Sequence, residues 1–164
     1  LVNRLGNPAN IVSIETAVGT EAKRALYQRL RATRSEGIVF KLVDSGYGEG
    51  KTDDMLKVKF IESATLQVAS IHPTKRSVTV QAFDDMGVAV PLGSVTVPAN
   101  YPIPTVGELV EIEYLYVVKS LVQPVFRGVR TDQTLASCTL RQLKYRAGLG
   151  EEDAQNDDDA LLAA

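Results

Sequence analysis

Apolar and polar residues alternate in the first third of the chain in patterns that predict a strand, a helix and then two further strands. Residues 10–19 alternate as a strand would, and apolar residues recur at helical spacing over residues 21–34. Residues 37–43 and 55–60 are rich in β-branched and aromatic side chains and predict strands, with a glycine- and aspartate-rich loop at residues 44–54. A solvated surface is the simplest interpretation of the basic helix face opposite the apolar stripe. That face comprises Lys23, Arg24, Arg31 and Arg34.

From residue 65 the pattern changes to short strands separated by turns, with no long helix among them. The five predicted strands are residues 65–71, 77–83, 87–98, 109–118 and 123–130. The fourth alternates apolar side chains with Glu111 and Glu113, as expected when one face of a sheet is wet. Five strands within roughly 80 residues match the size of an OB-fold barrel. The predicted fold class is therefore mainly β with one helix (α+β), a partial sheet followed by a five-stranded OB-fold barrel.

The formal net charge of −2 conceals an uneven distribution along the chain. Residues 1–62 carry 10 Lys and Arg against 8 Asp and Glu, and residues 63–146 carry 8 against 6. Residues 147–164 carry no Lys or Arg and 6 Asp and Glu. The body of the chain is therefore mildly basic, so the acidic net charge is a poor argument against a polyanionic partner, and the acidic tail is predicted to be disordered.

Composition narrows the classes of protein to which the chain can belong. With 164 residues and 45% hydrophobic side chains it can bury a core. No apolar run approaches the roughly 20 residues that span a bilayer, and the first residues lack a signal-peptide core, so no membrane partner and a cytoplasmic location are expected. The single cysteine, Cys138, and the single histidine, His72, rule out a disulfide and a zinc cluster within the chain. Magnesium held by carboxylates remains compatible with the composition.

Candidate chemistry concentrates in the two predicted strands that follow the helix. Lys57 and Lys59 occupy alternate positions of one strand, so both side chains point to the same face and can converge on one phosphate group. Preorganised cations at a developing anion can supply several kcal/mol of transition-state stabilisation. Glu36, just before the other strand, offers a carboxylate for magnesium, and Lys41 at the end of that strand fits a further phosphate contact.

Three short motifs follow one another along the chain. EGIVFK at residues 36–41 and LKVKF at residues 56–60 lie directly before the predicted barrel and are joined by a glycine-rich link. GVRTDQ at residues 128–133 lies in the last predicted strand of the barrel and beyond it, preceded by YLYVVKSLVQPVF. In this order the motifs resemble those of the covalent nucleotidyltransferase superfamily, and within it a bacterial or phage branch of the ATP-dependent DNA ligases. GVRTDQ is similar to the Arg-x-Asp-Lys motif of the ligase OB domain.

The resemblance implies an enzyme that seals nicks in double-stranded DNA, with ATP as adenylate donor and Mg²⁺ as metal. The implied site residues are Glu36 for the metal, Lys41, Lys57 and Lys59 for the nucleotide phosphate, and Arg130 and Asp132 for closure of the barrel over ATP. Candidates for contacts with the DNA backbone that do not depend on base sequence are Lys75, Arg76, Lys119, Arg127, Arg141 and Lys144.

The chain departs from the ligase pattern in two places. Gln133 stands where ligases have lysine, which removes one cation from the pyrophosphate site. No Asp-Gly pair occurs in the sequence, so the Lys-x-Asp-Gly motif whose lysine forms the covalent adenylate is absent. We therefore expect the C-terminal portion of a ligase, inactive alone, that works with the upstream remainder of its adenylation domain. The expected domains are the end of the adenylation domain at residues 1–62, the OB domain at 63–146 and the acidic tail at 147–164.

Two alternatives remain open at this level. An RNA ligase or an mRNA-capping guanylyltransferase uses the same arrangement of lysines, and nucleotide preference distinguishes the capping enzyme from a DNA ligase. From a different class, a non-catalytic OB module that binds single-stranded nucleic acid needs several aromatic side chains exposed along a basic groove. The side chains whose exposure decides this are Tyr101, Tyr114, Tyr116, Phe126 and Tyr145.

Overall fold

The structure is a computed structural model that describes residues 14–46, 48–50 and 52–146. Within these residues the chain forms one α-helix and seven strands in two antiparallel sheets, which confirms a mainly β fold with a single helix. The elements are α1 (Thr20–Ala32), β1 (Gly37–Lys41), β2 (Met55–Lys59), β3 (Glu62–Ile71), β4 (Ser77–Phe83), β5 (Ala89–Thr96), β6 (Leu109–Tyr114) and β7 (Val125–Val129), followed by 3₁₀ turns at Leu135–Ser137 and Leu140–Gln142. The predicted acidic tail lies outside the described residues.

The helix α1 forms where the sequence provides a start signal and a run of helix-forming residues. Gly19 precedes it with a φ of 83°, a conformation that glycine adopts without strain, and Glu21 places a carboxylate in the first turn. The helix ends where the backbone N–H and the hydroxyl of Thr33 both donate to the carbonyl of Arg29. No residue of α1 is buried, and among the described strands the helix packs chiefly beside β1.

β1 and β2 form the antiparallel hairpin that the sequence predicts, and we refer to the pair as the hairpin. Its register pairs Gly37 with Lys59 at one end and Lys41 with Met55 at the other. The strand predicted at residues 10–19 is wrong for its described part, because residues 14–18 adopt no strand conformation. Alternation of apolar and polar residues favours a strand only where another strand is available to pair with it.

The remaining five strands form an OB-fold-like barrel. Strands β3, β4 and β5 follow one another as a meander, β6 returns to pair with β3, and β7 pairs with β6, which gives the sheet order β5-β4-β3-β6-β7. Shifts of register interrupt three of the four pairings, and such bulges bend strands sharply enough to curve a sheet. The sheet curls until β5 approaches β7. Burial alternates strictly along β6, where Glu111 and Glu113 stay on the outer face as predicted.

The hydrophobic core lies inside the barrel. Its buried members fall between Ala64 and Leu143, and the part described between residues 14 and 59 contributes none of them. Phe60, directly after the hairpin, is buried and meets Tyr27 of α1 edge to face with ring centroids 5.2 Å apart. Among the described residues, no helix has the length and apolar character needed to cross a bilayer.

Candidate functional site

A cavity of about 730 Å³ lies between residues 14–18, α1 and the hairpin. Most of its wall is apolar, and its lining includes Leu26 and Leu30 of the helix and Ile38 and Phe40 of β1. The charged side chains that line it are Glu15, Lys23, Glu36, Lys41, Lys57 and Lys59. The structure therefore places in one cavity four residues that the sequence predicts for one site, namely Glu36, Lys41, Lys57 and Lys59.

The three predicted lysines share one face of the hairpin. Lys57 pairs with Val39 and Lys59 with Gly37, and alternate residues of a strand point to the same face, so Lys41 lies on that face as well. Alternate residues on a strand are roughly 7 Å apart, which lets two flexible ammonium groups reach one phosphate. All three lysines are exposed to solvent.

The lysines differ in the partners that they have. Lys59 Nζ donates to the side-chain oxygen Oε1 of Gln123, in the connection between β6 and β7, at 2.6 Å. Within the described residues the ammonium groups of Lys41 and Lys57 form no hydrogen bond or ion pair. The barrel thus already engages one of the candidate phosphate ligands.

Glu36 is the carboxylate available for a metal in the cavity. It is exposed, whereas Glu15 on the same wall forms an ion pair with Arg29. The described residues contain no group of three or more His, Cys, Asp and Glu side chains that could enclose a metal ion. A single carboxylate suits Mg²⁺ in the case where phosphate oxygens and water complete the octahedron. Glu36 therefore fits a metal that arrives with a phosphate ligand.

The predicted barrel motif forms a compact ion-pair cluster after β7. Arg130 donates from Nε and Nη2 to the two carboxylate oxygens of Asp132, both at 2.8 Å, and Nη1 of Arg130 lies 3.6 Å from Glu111. The Gln133 amide also donates to Asp132, at 3.2 Å. These donors hold the pKa of Asp132 well below its usual range, chiefly through Arg130. Neither Arg130 nor Asp132 lines the cavity, so the structure does not bring this motif to the hairpin lysines.

Lys144 lies elsewhere than the sequence suggested. It is only 5% exposed, and its ammonium donates to the backbone carbonyls of Ser35 at 3.2 Å and Phe60 at 3.0 Å. Burial lowers the pKa of this lysine, since the charged form loses its hydration. The expectation that Lys144 contacts a DNA backbone is corrected, because the amine faces protein carbonyls.

Arg76 is also engaged within the barrel. Its guanidinium donates to the carbonyls of Val97 at 3.3 Å, Pro98 at 3.1 Å and Tyr101 at 2.5 Å, which holds the segment after β5 against the start of β4. The side chain reaches solvent, but it already serves a structural purpose.

The other predicted DNA contacts lie on the surface of the barrel. Arg127 forms an ion pair with Glu113, and Arg141 forms one with Asp85 at 2.6 Å. Lys75 is exposed in the turn between β3 and β4, and Lys119 is exposed in the connection between β6 and β7. A polyanion could reach these four cations, although Arg127 and Arg141 would have to exchange carboxylate partners for phosphate.

Aromatic side chains of the barrel are used for packing. Tyr114 and Phe126 are buried, and Tyr101 packs edge-on against Phe126 with ring centroids 5.4 Å apart. Tyr116 and Tyr145 are half-buried. All five aromatic residues that a base-stacking platform would need are buried or half-buried, which disfavours a single-strand-binding module.

The sequence did not predict that two further residues, Lys23 and Gln123, belong to this region. The sequence predicts that Lys23 lies on the solvated face of the helix, but in the structure it lines the cavity. Lys23 precedes Leu26 by three positions and Leu30 by seven, a spacing that places all three on one side of a helix. Gln123 had no such signal, since its contact with Lys59 joins positions 64 residues apart.

Comparisons with known proteins address the fold. No protein-family model and no curated protein matches the chain. A structure from a structure-function analysis of Lig E DNA ligases, concerned with DNA binding by a minimal scaffold, matches with a TM-score of 0.55 and 23% identity over 79% of this chain and 57% of that one. Structures named Pmar-Lig_Pre and Pmar-Lig_PreS3 match with TM-scores of 0.55 and 0.54 and 23% and 22% identity.

The chain shares its fold with a DNA ligase. It spans little more than half of that ligase structure and 32% of each Pmar-Lig structure, which cover 70% and 68% of this chain.

Proposed function

We propose that this chain is the C-terminal portion of an ATP-dependent DNA ligase, formed by the end of the adenylation domain and an OB domain. The observation that carries the proposal is that Lys41, Lys57 and Lys59 share one face of the hairpin and line one cavity together with Glu36, in a chain that shares its fold with a DNA ligase. The proposed reaction seals nicks in double-stranded DNA through an enzyme adenylate and then a DNA adenylate.

The chemistry of such a site is largely electrostatic. Negative charge moves onto pyrophosphate when the α-phosphate of ATP is attacked, and onto AMP when the DNA ends are joined. Lys57 and Lys59 would hold the AMP phosphate in both steps, and Lys41 and Lys23 line the same cavity. Mg²⁺, held by Glu36 together with phosphate oxygens, would neutralise part of the phosphate charge. The apolar walls would exclude water from the adenylate.

The covalent nucleophile would come from polypeptide upstream of this chain, since no Lys-x-Asp-Gly motif occurs in it. Exposed apolar side chains around the cavity support such a neighbour: Ile14, Val18, Leu42 and Val43 all reach water extensively. A remainder of the adenylation domain packed there would remove this apolar surface from solvent. Arg130 and Asp132 would enter the site by motion of the barrel, because they lie outside the cavity described above.

Duplex DNA is the proposed partner, supported by the matched Lig E structure, which is described in terms of DNA binding. Lys75, Lys119, Arg127 and Arg141 would supply contacts with the phosphate backbone. A bacterial or phage-infected cytoplasm is the proposed setting. An RNA ligase or capping-type enzyme remains the second candidate, because the hairpin lysines suit any of these nucleotidyl transfers.

The proposal is tested with the longer protein that contains this chain. We expect the longer protein to take up label from α-labelled ATP with Mg²⁺ and to seal a duplex nicked at a 5′-phosphate. Lys57→Ala and Lys59→Ala should each lower sealing by about 10²–10³-fold, as expected for loss of a cation at a developing charge. Arg24→Ala is the matched control, since Arg24 lies outside the cavity wall and pairs with Glu21 on the helix surface.

Sealing at the wild-type level in both lysine variants would contradict the proposed role of the hairpin. Transfer to RNA ends would indicate an RNA ligase instead of a DNA ligase. A preference for GTP would indicate a capping-type guanylyltransferase. Label on the 164-residue chain alone would show that one of its own lysines is the nucleophile, with Lys41 the first to substitute.

A further inference from the structure

The hairpin has two ends, each closed by a backbone hydrogen bond beyond the strand pairs. At the near end the N–H of Phe60 donates to the carbonyl of Glu36 at 2.9 Å, next to the pair formed by Gly37 and Lys59. At the far end the N–H of Leu42 donates to the carbonyl of Asp54 at 3.0 Å. Glu36 and Lys59, two of the candidate site residues, both belong to the near end.

Lys144 bonds to the near end from the barrel side. Its ammonium bridges the carbonyls of Ser35 and Phe60, which immediately precede Glu36 and follow Lys59 in sequence. A buried ammonium is costly unless it is hydrogen-bonded, so the two carbonyls cannot separate without leaving a buried charge unsatisfied. The position of the near end therefore depends on the position of this side chain.

The barrel in turn fixes the backbone of Lys144. Its N–H donates to the hydroxyl of Tyr114 at 2.9 Å, and its carbonyl accepts from the N–H of Val117 at 2.8 Å. Tyr114 is fully buried at the end of β6. An unbroken series of hydrogen bonds thus runs from the barrel core through Lys144 to the near end of the hairpin.

We propose that Lys144 is a positioning residue for the candidate site, which fixes the near end of the hairpin to the barrel and so places Glu36 and Lys59. The positioning of the near end by Lys144 is independent of the proposed function, whereas its effect on nick sealing rests on that function. The bond from Lys59 to Gln123 agrees with this role, since it joins the near end to the connection between β6 and β7.

Hydrogen exchange on the 164-residue chain tests the first step. In Lys144→Met, which keeps the unbranched chain up to the ε position and removes the charge and donors, the Phe60 amide should exchange about tenfold faster or more. The Leu42 amide at the far end and the amides of the barrel strands should change by less than about threefold. Lys144→Arg, which keeps a cationic donor, should recover part of the protection at Phe60.

Chemical labelling of lysine amines tests the second step, with Lys57 as internal reference. Lys144→Met should raise the labelling of Lys59 relative to Lys57, because the near end no longer holds Lys59 beside Gln123. Gln123→Asn, too short by one methylene to reach, should raise Lys59 labelling alone and leave exchange at Phe60 unchanged. A role for Lys144 in general stability only would change both lysines and both hairpin ends alike.

Equal acceleration at Phe60 and Leu42 would overturn the proposal, as would unchanged exchange at both. Should Lys144→Met lose protection throughout the barrel, Tyr114→Phe replaces it. That variant removes the acceptor of the Lys144 N–H and should accelerate Phe60 more than Leu42, and equal effects would again overturn the proposal.

In the longer protein, Lys144→Met should lower kcat for sealing more than it raises the KM for nicked DNA, while Arg24→Ala changes neither. Wild-type kcat despite an open near end would overturn the placement of the site by Lys144. No sealing by the wild-type longer protein would contradict the proposed function instead, and the exchange and labelling results would still decide the role of Lys144.

Discussion

Charged side chains in this protein differ chiefly in how much water they reach. Arg130, Asp132 and Arg141 form ion pairs at the surface, where solvent screens the attraction and the contribution to stability is small. Lys144 is the opposite case, an ammonium almost sealed from water and satisfied by two carbonyls. Burial therefore couples the protonation of Lys144 to folding.

Stability should rise with pH in the alkaline range because of Lys144. Burial lowers the pKa of Lys144 from the ordinary 10.5, so between the lowered value and 10.5 the unfolded chain binds more protons than the folded one. The contribution of Lys144 to the free energy of unfolding is therefore complete above pH 10.5, and it is lost as the pH falls through the pKa of the folded state. One proton can contribute at most about 1.4 kcal/mol per pH unit.

Urea unfolding of the wild type and of Lys144→Met from pH 7 to about 10.5 measures the contribution of Lys144 to the pH dependence of the unfolding free energy. The difference in unfolding free energy, wild type minus variant, should grow in favour of the wild type as pH increases. A difference that is flat or that shrinks with pH would show that the ammonium is not desolvated in the folded state.

Sequence reasoning located residues where local spacing determines their position and missed those placed by distant contacts. Lys57 and Lys59 fall on one face because strands alternate, and the helical spacing of Lys23 could have placed it in the cavity. The bonds of Lys144 join positions 84 and 109 residues apart, and no local pattern encodes them. A lysine between Leu143 and Tyr145 resembles any other surface lysine until the barrel closes.

At the scale of the element, the hairpin depends on the residue that follows Glu36. An added Cβ at Gly37 would lie 3.0 Å from the Cα of Lys59 and closer still to the carbonyl oxygen of Val58. Both are backbone atoms of the paired strand, so neither can rotate away. The Glu-Gly order of the motif thus has a packing reason, because only glycine lets the two strands approach at the near end.

Gly37→Ala should open the near end of the hairpin at a cost of about 1–3 kcal/mol, the usual range for overpacking. The amide of Phe60 should then exchange at least about tenfold faster, while barrel amides stay unchanged. Gly46→Ala is the matched control, since an added Cβ there meets nothing within 4 Å. Equal exchange in the two variants would mean that the strands accommodate the methyl group by a shift of register.

The sequence predicted strands correctly where a partner strand exists and wrongly where none is available among the described residues. The five barrel strands were located from alternation and turns, and β4 has the bounds that the sequence predicts. Residues 14–18 alternate equally well but pair with no strand in the described part. The fourth strand was predicted to continue to residue 118, yet β6 ends at Tyr114, because the N–H of Leu115 turns to bond Val122 within a loop.

Across the whole molecule, burial is divided unequally. The buried core belongs to the barrel, whereas no described residue from 14 to 59 is buried and Ile14 and Val43 remain 84% and 78% exposed. A two-stranded hairpin is marginal in water by itself, and α1, which packs beside it, has no buried residue. The barrel therefore stabilises the α1 and hairpin segment through few contacts, of which those of Lys144 and Phe60 are buried.

Native-state hydrogen exchange should reveal two levels of protection in the 164-residue chain. Amides of β3, β4 and β6 should exchange at least about 100-fold more slowly than those of α1, because opening α1 exposes no buried core. In the longer protein the proposed remainder of the adenylation domain would cover the apolar cavity wall, so α1 and hairpin amides should slow by about tenfold or more. Barrel amides should not change, since their core is already complete. Equal protection of α1 in the two proteins would mean that the cavity faces solvent in both, and the upstream polypeptide would have to supply its nucleophile from another direction.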